Sequence, residues 1–343
     1  MMKKNLMDMT IKELELFFIN IEEQKFRAKQ VFGWIAKGAC SFDEMTDLSK
    51  GLRLKLAENA DIQKLVILRM QPSQKDGTRK YLMGLPDGNS IECVFMKYKF
   101  GNTLCISSQA GCRMGCSFCA SAIGGLSRNL TAGEMVDQII STERDTGEKI
   151  SNIVVMGTGE PFDNYENLLK FIEIVHAKEG LNIGLRNITV STCGLIPKMK
   201  EFAMDVPQVN LAVSLHAPND KIRGVIMPIS KRYPMDDLLS ACRQCIERTG
   251  RRITFEYALI KGTNDSERNA EELVSRLRGM NCHVNLIPLN RVEETGLAGT
   301  EHTVAERFKL ILDKKGIQTT IRRELGSDID AACGQLRLKN GRD

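Results

Sequence analysis

The chain has 343 residues, 42% of them hydrophobic and 27% charged, with a formal net charge of +5. That length suits one large domain plus an accessory piece, and the composition excludes a disordered, fibrous or low-complexity protein. No secretory signal or apolar run of membrane-spanning length is found, so a reducing cytoplasm is expected, where eleven cysteines point to metal binding or catalysis rather than structural disulfides.

Residues 1–72 predict a small helical accessory domain. Thr10, with Glu13 at the third helical position, reads as a capping box, and Leu14, Phe17, Phe18 and Ile21 recur at helical spacing. Further helices are expected over 26–35 and 48–60. From Lys75 the period changes. Residues 81–85 and 91–96, joined by Pro86-Asp87-Gly88-Asn89, predict two strands of a hairpin linker over 73–97. A strand over 103–107 then delivers the chain into Gly111-Cys112-Arg113-Met114-Gly115-Cys116-Ser117-Phe118-Cys119.

That run places three thiols at CxxxCxxC spacing. Thiolates bind soft metal centres, and cysteines on short loops are the usual ligands of iron–sulfur clusters. No fourth cysteine lies near enough in sequence to close the set, whereas a structural zinc site takes four protein ligands. A 4Fe-4S cluster held by three thiolates leaves one iron open. A zinc knuckle completed by a distant His or Cys stays as the alternative.

After the cysteine loop, helices and strands alternate. Thr131 and Glu134 form a second capping box, opening a helix to about Arg144. Strands are expected over 152–156, 187–192, 209–215, 253–260 and 283–289. Helices over 165–177, 196–204, 235–248, 267–278 and 304–315 follow them. Counting the strand that feeds the cysteine loop, six βα units predict an α/β fold, an open, partial (βα)6 TIM-like barrel over 98–327. Active sites of such barrels lie at the C-terminal ends of the strands. Chemically unusual residues do follow the strands: the cysteine loop, then Gly159-Glu160-Pro161, Ser191-Thr192-Cys193-Gly194, Ser214-Leu215-His216 and Asn290. A C-terminal segment, 328–343, carries Cys333 among small residues. Cys242 and Cys245 fall mid-helix among apolar residues, where core packing is expected.

The CxxxCxxC loop resembles that of radical S-adenosyl-L-methionine (SAM) enzymes. Longer stretches resemble the RlmN/Cfr family of radical SAM RNA methyltransferases. They are Cys105-Ile106-Ser107-Ser108-Gln109-Ala110-Gly111-Cys112, the run over 124–134, Gly159-Glu160-Pro161 and Ala331-Ala332-Cys333-Gly334-Gln335-Leu336. Phe26-Arg27-Ala28-Lys29-Gln30 and Trp34 resemble the RNA-associated accessory domain of the RlmN branch. The resemblance implies a radical SAM barrel with Cys112, Cys116 and Cys119 on a 4Fe-4S cluster, whose open iron chelates SAM. Gly159, Glu160, Ser191, Ser214, Leu215, His216 and Asn290 are then the SAM contacts.

It also implies a reaction. Cys333 takes a methyl group from one SAM, and a second SAM is cleaved to a radical that activates that methyl for addition to C2 of an adenosine. Glu92 removes the C2 proton, and Cys105 attacks the Cys333 sulfur to release the product, leaving a disulfide. The implied substrates are 23S rRNA and tRNA, with an electron donor such as flavodoxin and a monomeric enzyme. The alternatives are a Cfr-type C8 methyltransferase and, in a different class, a non-enzymatic zinc-containing RNA-binding protein.

Overall fold

The structure is a computed structural model that describes residues 3–289, 296–323, 325–326 and 328–329. A short strand β1 (Lys4–Asn5) precedes three helices, α1 (Ile11–Asn20), α2 (Arg27–Ala36) and α3 (Lys50–Asn59), and pairs in parallel with β2 (Ala60–Asp61), closing the helices into one unit. The first capping box is present: the Glu13 amide donates to Thr10 Oγ1 at 3.3 Å and the Thr10 amide donates to Glu13 Oε2 at 2.8 Å. Leu14, Phe17 and Phe18 form the buried stripe of α1.

Next come four antiparallel strands, β3 (Val66–Pro72), β4 (Arg79–Gly84), β5 (Ser90–Tyr98) and β6 (Gly101–Ile106). The strand β3 corrects the helical reading of residues 66–72. Its outer residues Val66, Leu68 and Met70 are exposed, so no alternation of buried and polar positions marks it. Pairing with β4, across a register shift between Ile67 and Arg69, holds it in the sheet. The two predicted hairpin strands are likewise members of the main sheet rather than a separate linker.

A small hairpin, β7 (Gln109–Gly111) with β8 (Leu126–Asn129), brackets the cysteine loop. The helix α4 (Ala132–Thr146) begins at the Thr131–Glu134 capping box, and β9 (Asn152–Val155), α5 (Tyr165–His176), β10 (Ile188–Thr192), α6 (Ile196–Asp205) and β11 (Asn210–Ser214) follow. Two helices, α7 (Asp220–Ile226) and α8 (Met235–Thr249), lead to β12 (Ile253–Leu259), α9 (Glu267–Leu277), β13 (Cys282–Pro288), α10 (His302–Lys314) and β14 (Gln318–Ile321).

The order across the large sheet is β14-β13-β12-β11-β10-β9-β6-β5-β4-β3, with every neighbour from β6 to β14 parallel. Each parallel strand is added beside the previous one without reversal. Right-handed crossovers then put all the helices on one face, and the sheet curls into a partial barrel. The predicted barrel is confirmed, and β14 adds a seventh parallel strand that was not read from the sequence.

The accessory helices share one hydrophobic core with the barrel, in which Phe17 and Phe18 belong to the same cluster as Leu104 and Ile106. Polar ties reach α4 as well: the Gly133 amide donates to Asp8 Oδ1 at 2.7 Å, and the Leu65 amide donates to the buried Asp137 at 2.6 Å. No helix of the described residues is long and apolar enough to cross a membrane. Cys242 and Cys245 are buried on α8, as core packing predicts.

Candidate active site

A cavity of about 480 Å³ opens at the strand ends, and Cys105, Cys112, Cys116, Cys119, Gly159, Glu160, Ser191, Ser214 and His216 all line it. The fold thus brings together residues spread over more than a hundred positions. Asn290 and Cys333 lie outside the described residues. Two other predicted positions lie off the wall: Leu215 is packed in the main core, and Glu92 is buried and paired with Lys80.

The cysteine loop is rigidly held. The Cys112 amide donates to Gly125 O at 2.9 Å, the Cys119 amide to Cys116 O at 3.1 Å, and the Ser117 amide to Ile226 O at 3.0 Å. Gly111 sits in left-handed backbone, φ 90°, where a Cβ would stand 2.1 Å from Gly125 O. Gly111→Ala is expected to cost about 1–2 kcal/mol in backbone strain alone. Because it also pushes the loop off Gly125, most of the iron-binding capacity is expected to be lost, as read by metal analysis of anaerobically reconstituted protein.

The donor set fits a cluster. Burial pushes the Cys112 thiol up to about 11, with the Cys119, Glu160 and Asp163 charges adding to it. Cys116 is raised further, by burial and then by the thiolates of Cys119 and Cys112. Thiols that oppose one another's ionisation in this way are stabilised as thiolates by a cationic metal centre. A structural zinc site takes four protein ligands, whereas a cubane takes one thiolate per iron and can be held by three.

Beside the loop, Glu160 is an N-cap whose carboxylate is fixed by two amides. Its Oε1 accepts from Phe162 at 3.1 Å and its Oε2 from Cys193 at 2.7 Å. Burial raises its pKa, and those amide donors oppose the rise. A carboxylate offers about four acceptor positions, so capacity for an ammonium donor persists. The loop from Gly157 to Glu160 is locked to the end of β6. The Ser108 and Gln109 amides donate to Thr158 O, and the Glu160 amide donates to Gln109 Oε1. Gly157 and Gly159 are required there, since a Cβ would come within 2.7 Å of Ile106 O and 2.6 Å of the Gln109 Cβ respectively.

His216 adopts φ 55°, rare for a side-chain-bearing residue. Its Nδ1 accepts from the Ala258 amide at 2.9 Å, so the neutral ring carries its proton on Nε2. Burial, then the Arg223 charge, lowers its pKa to about 3. The ring meets Phe118 of the cysteine loop edge-on, centroids 4.8 Å apart. His216 is therefore a fixed neutral donor and packing surface.

Sequence reasoning missed Glu256, a buried carboxylate on β12 that lines the cavity and accepts from Asn285 Nδ2 at 2.8 Å. The one signal was a lone Glu inside the apolar strand Ile253–Leu259. It also missed Lys80, which is fully buried and pairs with Glu92 at 3.0 Å. Glu92→Ala is expected to destabilise the fold by about 3–5 kcal/mol, because it strands a buried ammonium. The double change Lys80→Met, Glu92→Leu is expected to recover much of that in urea unfolding, since an apolar pair removes both desolvation costs.

A parallel partial barrel carrying a three-cysteine loop at its C-terminal rim defines a radical SAM enzyme, and the Radical SAM superfamily description matches residues 106–274. The chain belongs to the RlmN family of RNA methyltransferases. Residues 4–62 match the Ribosomal RNA large subunit methyltransferase N-terminal domain. Over 336 residues, 98% of both chains, it is 55% identical to a probable dual-specificity RNA methyltransferase RlmN of Thermoanaerobacter sp. (strain X514). A protein of the same name from Caldanaerobacter subterraneus subsp. tengcongensis is 56% identical over 98% of both chains. The crystal structure of a radical SAM methyltransferase from Sphaerobacter thermophilus superposes with a TM-score of 0.93 at 46% identity, covering 97% of this chain and 98% of that one. The family's cofactors are a 4Fe-4S cluster and SAM, as the cysteine loop implies.

Proposed function

We propose that the chain methylates C2 of an adenosine in 23S rRNA and of the adenosine next to the anticodon in tRNA, by way of a methylated Cys333 and two molecules of SAM. One observation carries this reading. Cys105 lines the same cavity as the three loop cysteines, and so do Gly326 and Ile329 of the segment leading to Cys333. Leu325 packs in the same apolar cluster as Cys105, with Val94 and Met96. That segment is anchored: Asp328 accepts from Ser73 Oγ at 2.6 Å and the Gln74 amide at 2.8 Å, and Asp76 accepts from the Gly326 amide at 2.8 Å.

Cys112, Cys116 and Cys119 would hold the cluster, which with SAM bound would supply a hydrogen-abstracting radical. The chain's own residues do the rest. Cys333 accepts a methyl group as a thiolate nucleophile and holds it where its C–H bond is broken. Glu92, buried and paired with Lys80, takes the proton from C2. Once the activated carbon has joined C2, Cys105 attacks the Cys333 sulfur, so the carbon–sulfur bond breaks as the sulfur–sulfur bond forms. The Cys105 proton completes the methyl on the released carbon, the one surplus electron would pass from the disulfide to the cluster, and the methylated base leaves. Gly159, Glu160, Ser191, Ser214, His216 and Asn290 hold SAM, with the Leu215 backbone between two of them.

The same reading places the enzyme in the cytoplasm as a monomer fed by a flavodoxin-type reductant. It is tested by incubating an rRNA fragment and a tRNA separately with the reconstituted protein, SAM and reductant, then identifying the modified nucleoside by mass spectrometry. 2-Methyladenosine is the expected product. 8-Methyladenosine alone would reverse the regiochemistry, and no methylation of either RNA would remove the reading.

A further inference from the structure

Arg223 has no solvent exposure and heads the large fully buried side chains of the described residues. It projects from α7 beneath the ends of two strands. Its Nη2 donates to Cys193 O at 2.8 Å and to Ser214 O at 3.3 Å, and its Nε donates to Leu215 O at 3.3 Å. Those carbonyls close β10 and β11, the strands that carry Ser191, Ser214 and His216. Nη1 is buried without a hydrogen-bond partner, and among the described residues Arg223 makes no ion pair within 4.0 Å. Guanidinium is always charged in proteins, and a buried charge is tolerated when an opposite charge sits beside it.

Asp220, at the start of α7, favours the charge on Arg223 but is itself tied to Ser230 Oγ and the Met235 amide, and the cysteine loop packs against the other end of the same helix. Ile226, one turn beyond Arg223, accepts from the Ser117 amide at 3.0 Å. Cys116 packs in the same apolar pocket as Cys193, Ile226 and Met227. Burial disfavours the charge on Arg223, while negative charge at Cys193, Cys116 or Asp220 would favour it. A 4Fe-4S core bound by three thiolates is anionic, and it becomes more so on taking up one electron. We propose that Arg223 is a positioning residue that supplies the fixed counter-charge of the cluster, favouring its one-electron reduction while bracing the strand ends that hold SAM. The inference rests on Cys112, Cys116 and Cys119 being the cluster's ligands.

The test is a redox titration with dithionite, followed by electron paramagnetic resonance, of the reconstituted parent, Arg223→Met, Arg223→Gln and Arg223→Lys, each checked for iron and sulfide. In the neutral variants the reduction equilibrium is expected to fall by about tenfold, a shift of 59 mV to lower potential for one electron. Arg223→Lys, which keeps the charge and loses the fork of donors, is expected to stay within about threefold of the parent. A role confined to packing would leave the potential in place. Full cluster content with an unmoved potential in Arg223→Met and Arg223→Gln therefore overturns the proposal, and so does a tenfold fall in Arg223→Lys. Should the neutral variants not accumulate as folded protein, a tenfold fall in Arg223→Lys still overturns the proposal. A parent that takes up no iron removes the cluster reading itself, and this inference with it.

Discussion

Cys333→Ala is expected to yield a protein that folds, loads iron and binds SAM, yet methylates RNA more slowly by about 10³-fold or more, the scale on which a lost covalent nucleophile registers. C2 of adenine has no lone pair with which to attack a sulfonium methyl, and in the proposed reaction the methyl is carried by Cys333 instead. Cys105→Ala is expected to fail differently. Its first steps are intact, but no thiol is present to cleave the bond between Cys333 and the base. Enzyme and RNA then stay joined, and a protein band shifted by the mass of the RNA is expected on a denaturing gel. Removing Cys333 as well is expected to abolish that band. Multiple turnover by Cys333→Ala, or a Cys105→Ala variant that releases product at the parent rate, would show that the two sulfurs do not share one reaction.

The placement of Cys105 explains why one sequence reading outran another. Cys105 pairs with Val94 on one side and Val154 on the other, and in sequence it looks like a small hydrophobe in a buried strand. Only the resemblance gave it a role; the structure then put it on the wall shared with Cys112, Cys116 and Cys119. Local features were legible because their cause is local. The capping boxes at Thr10 and Thr131 need three residues of context, and both are present. The βα alternation was legible for the same reason, since each period is set within a dozen residues.

What escaped depends on distant partners. The edge strand β3 is ordered by β4. Lys80 is a buried cation because Glu92 lies across the hairpin, and a lone lysine in a strand gives no hint of that. The helix α7 is only seven residues long, too short for its apolar spacing to stand out, yet it carries Arg223 under the strand ends. The left-handed conformation of His216 follows from β11 ending against Glu256, whose carbonyl accepts from both the Leu215 and His216 amides. In each case the decisive contact spans two elements.

Cys112→Ala, Cys116→Ala and Cys119→Ala are each expected to remove the 4Fe-4S cluster and all methylation, while the fold survives. Each substitution removes one sulfur atom, which forfeits little packing at Cys116 and Cys119, only partly buried, and somewhat more at the buried Cys112. The stabilisation lost is that of the metal bond, which the unloaded chain never had. The thermal midpoint of the unloaded variant should therefore match that of the unloaded parent, and iron, sulfide and the brown absorbance should all be missing. Two controls separate this from general thiol chemistry. Cys40 is exposed and Cys242 is buried on α8, and alanine at either should leave iron content unchanged. If Cys40→Ala or Cys242→Ala loses the cluster while Cys116→Ala keeps it, a different trio of thiols holds the iron. The open coordination site would then lie away from Glu160 and His216, and the cavity would no longer account for SAM binding.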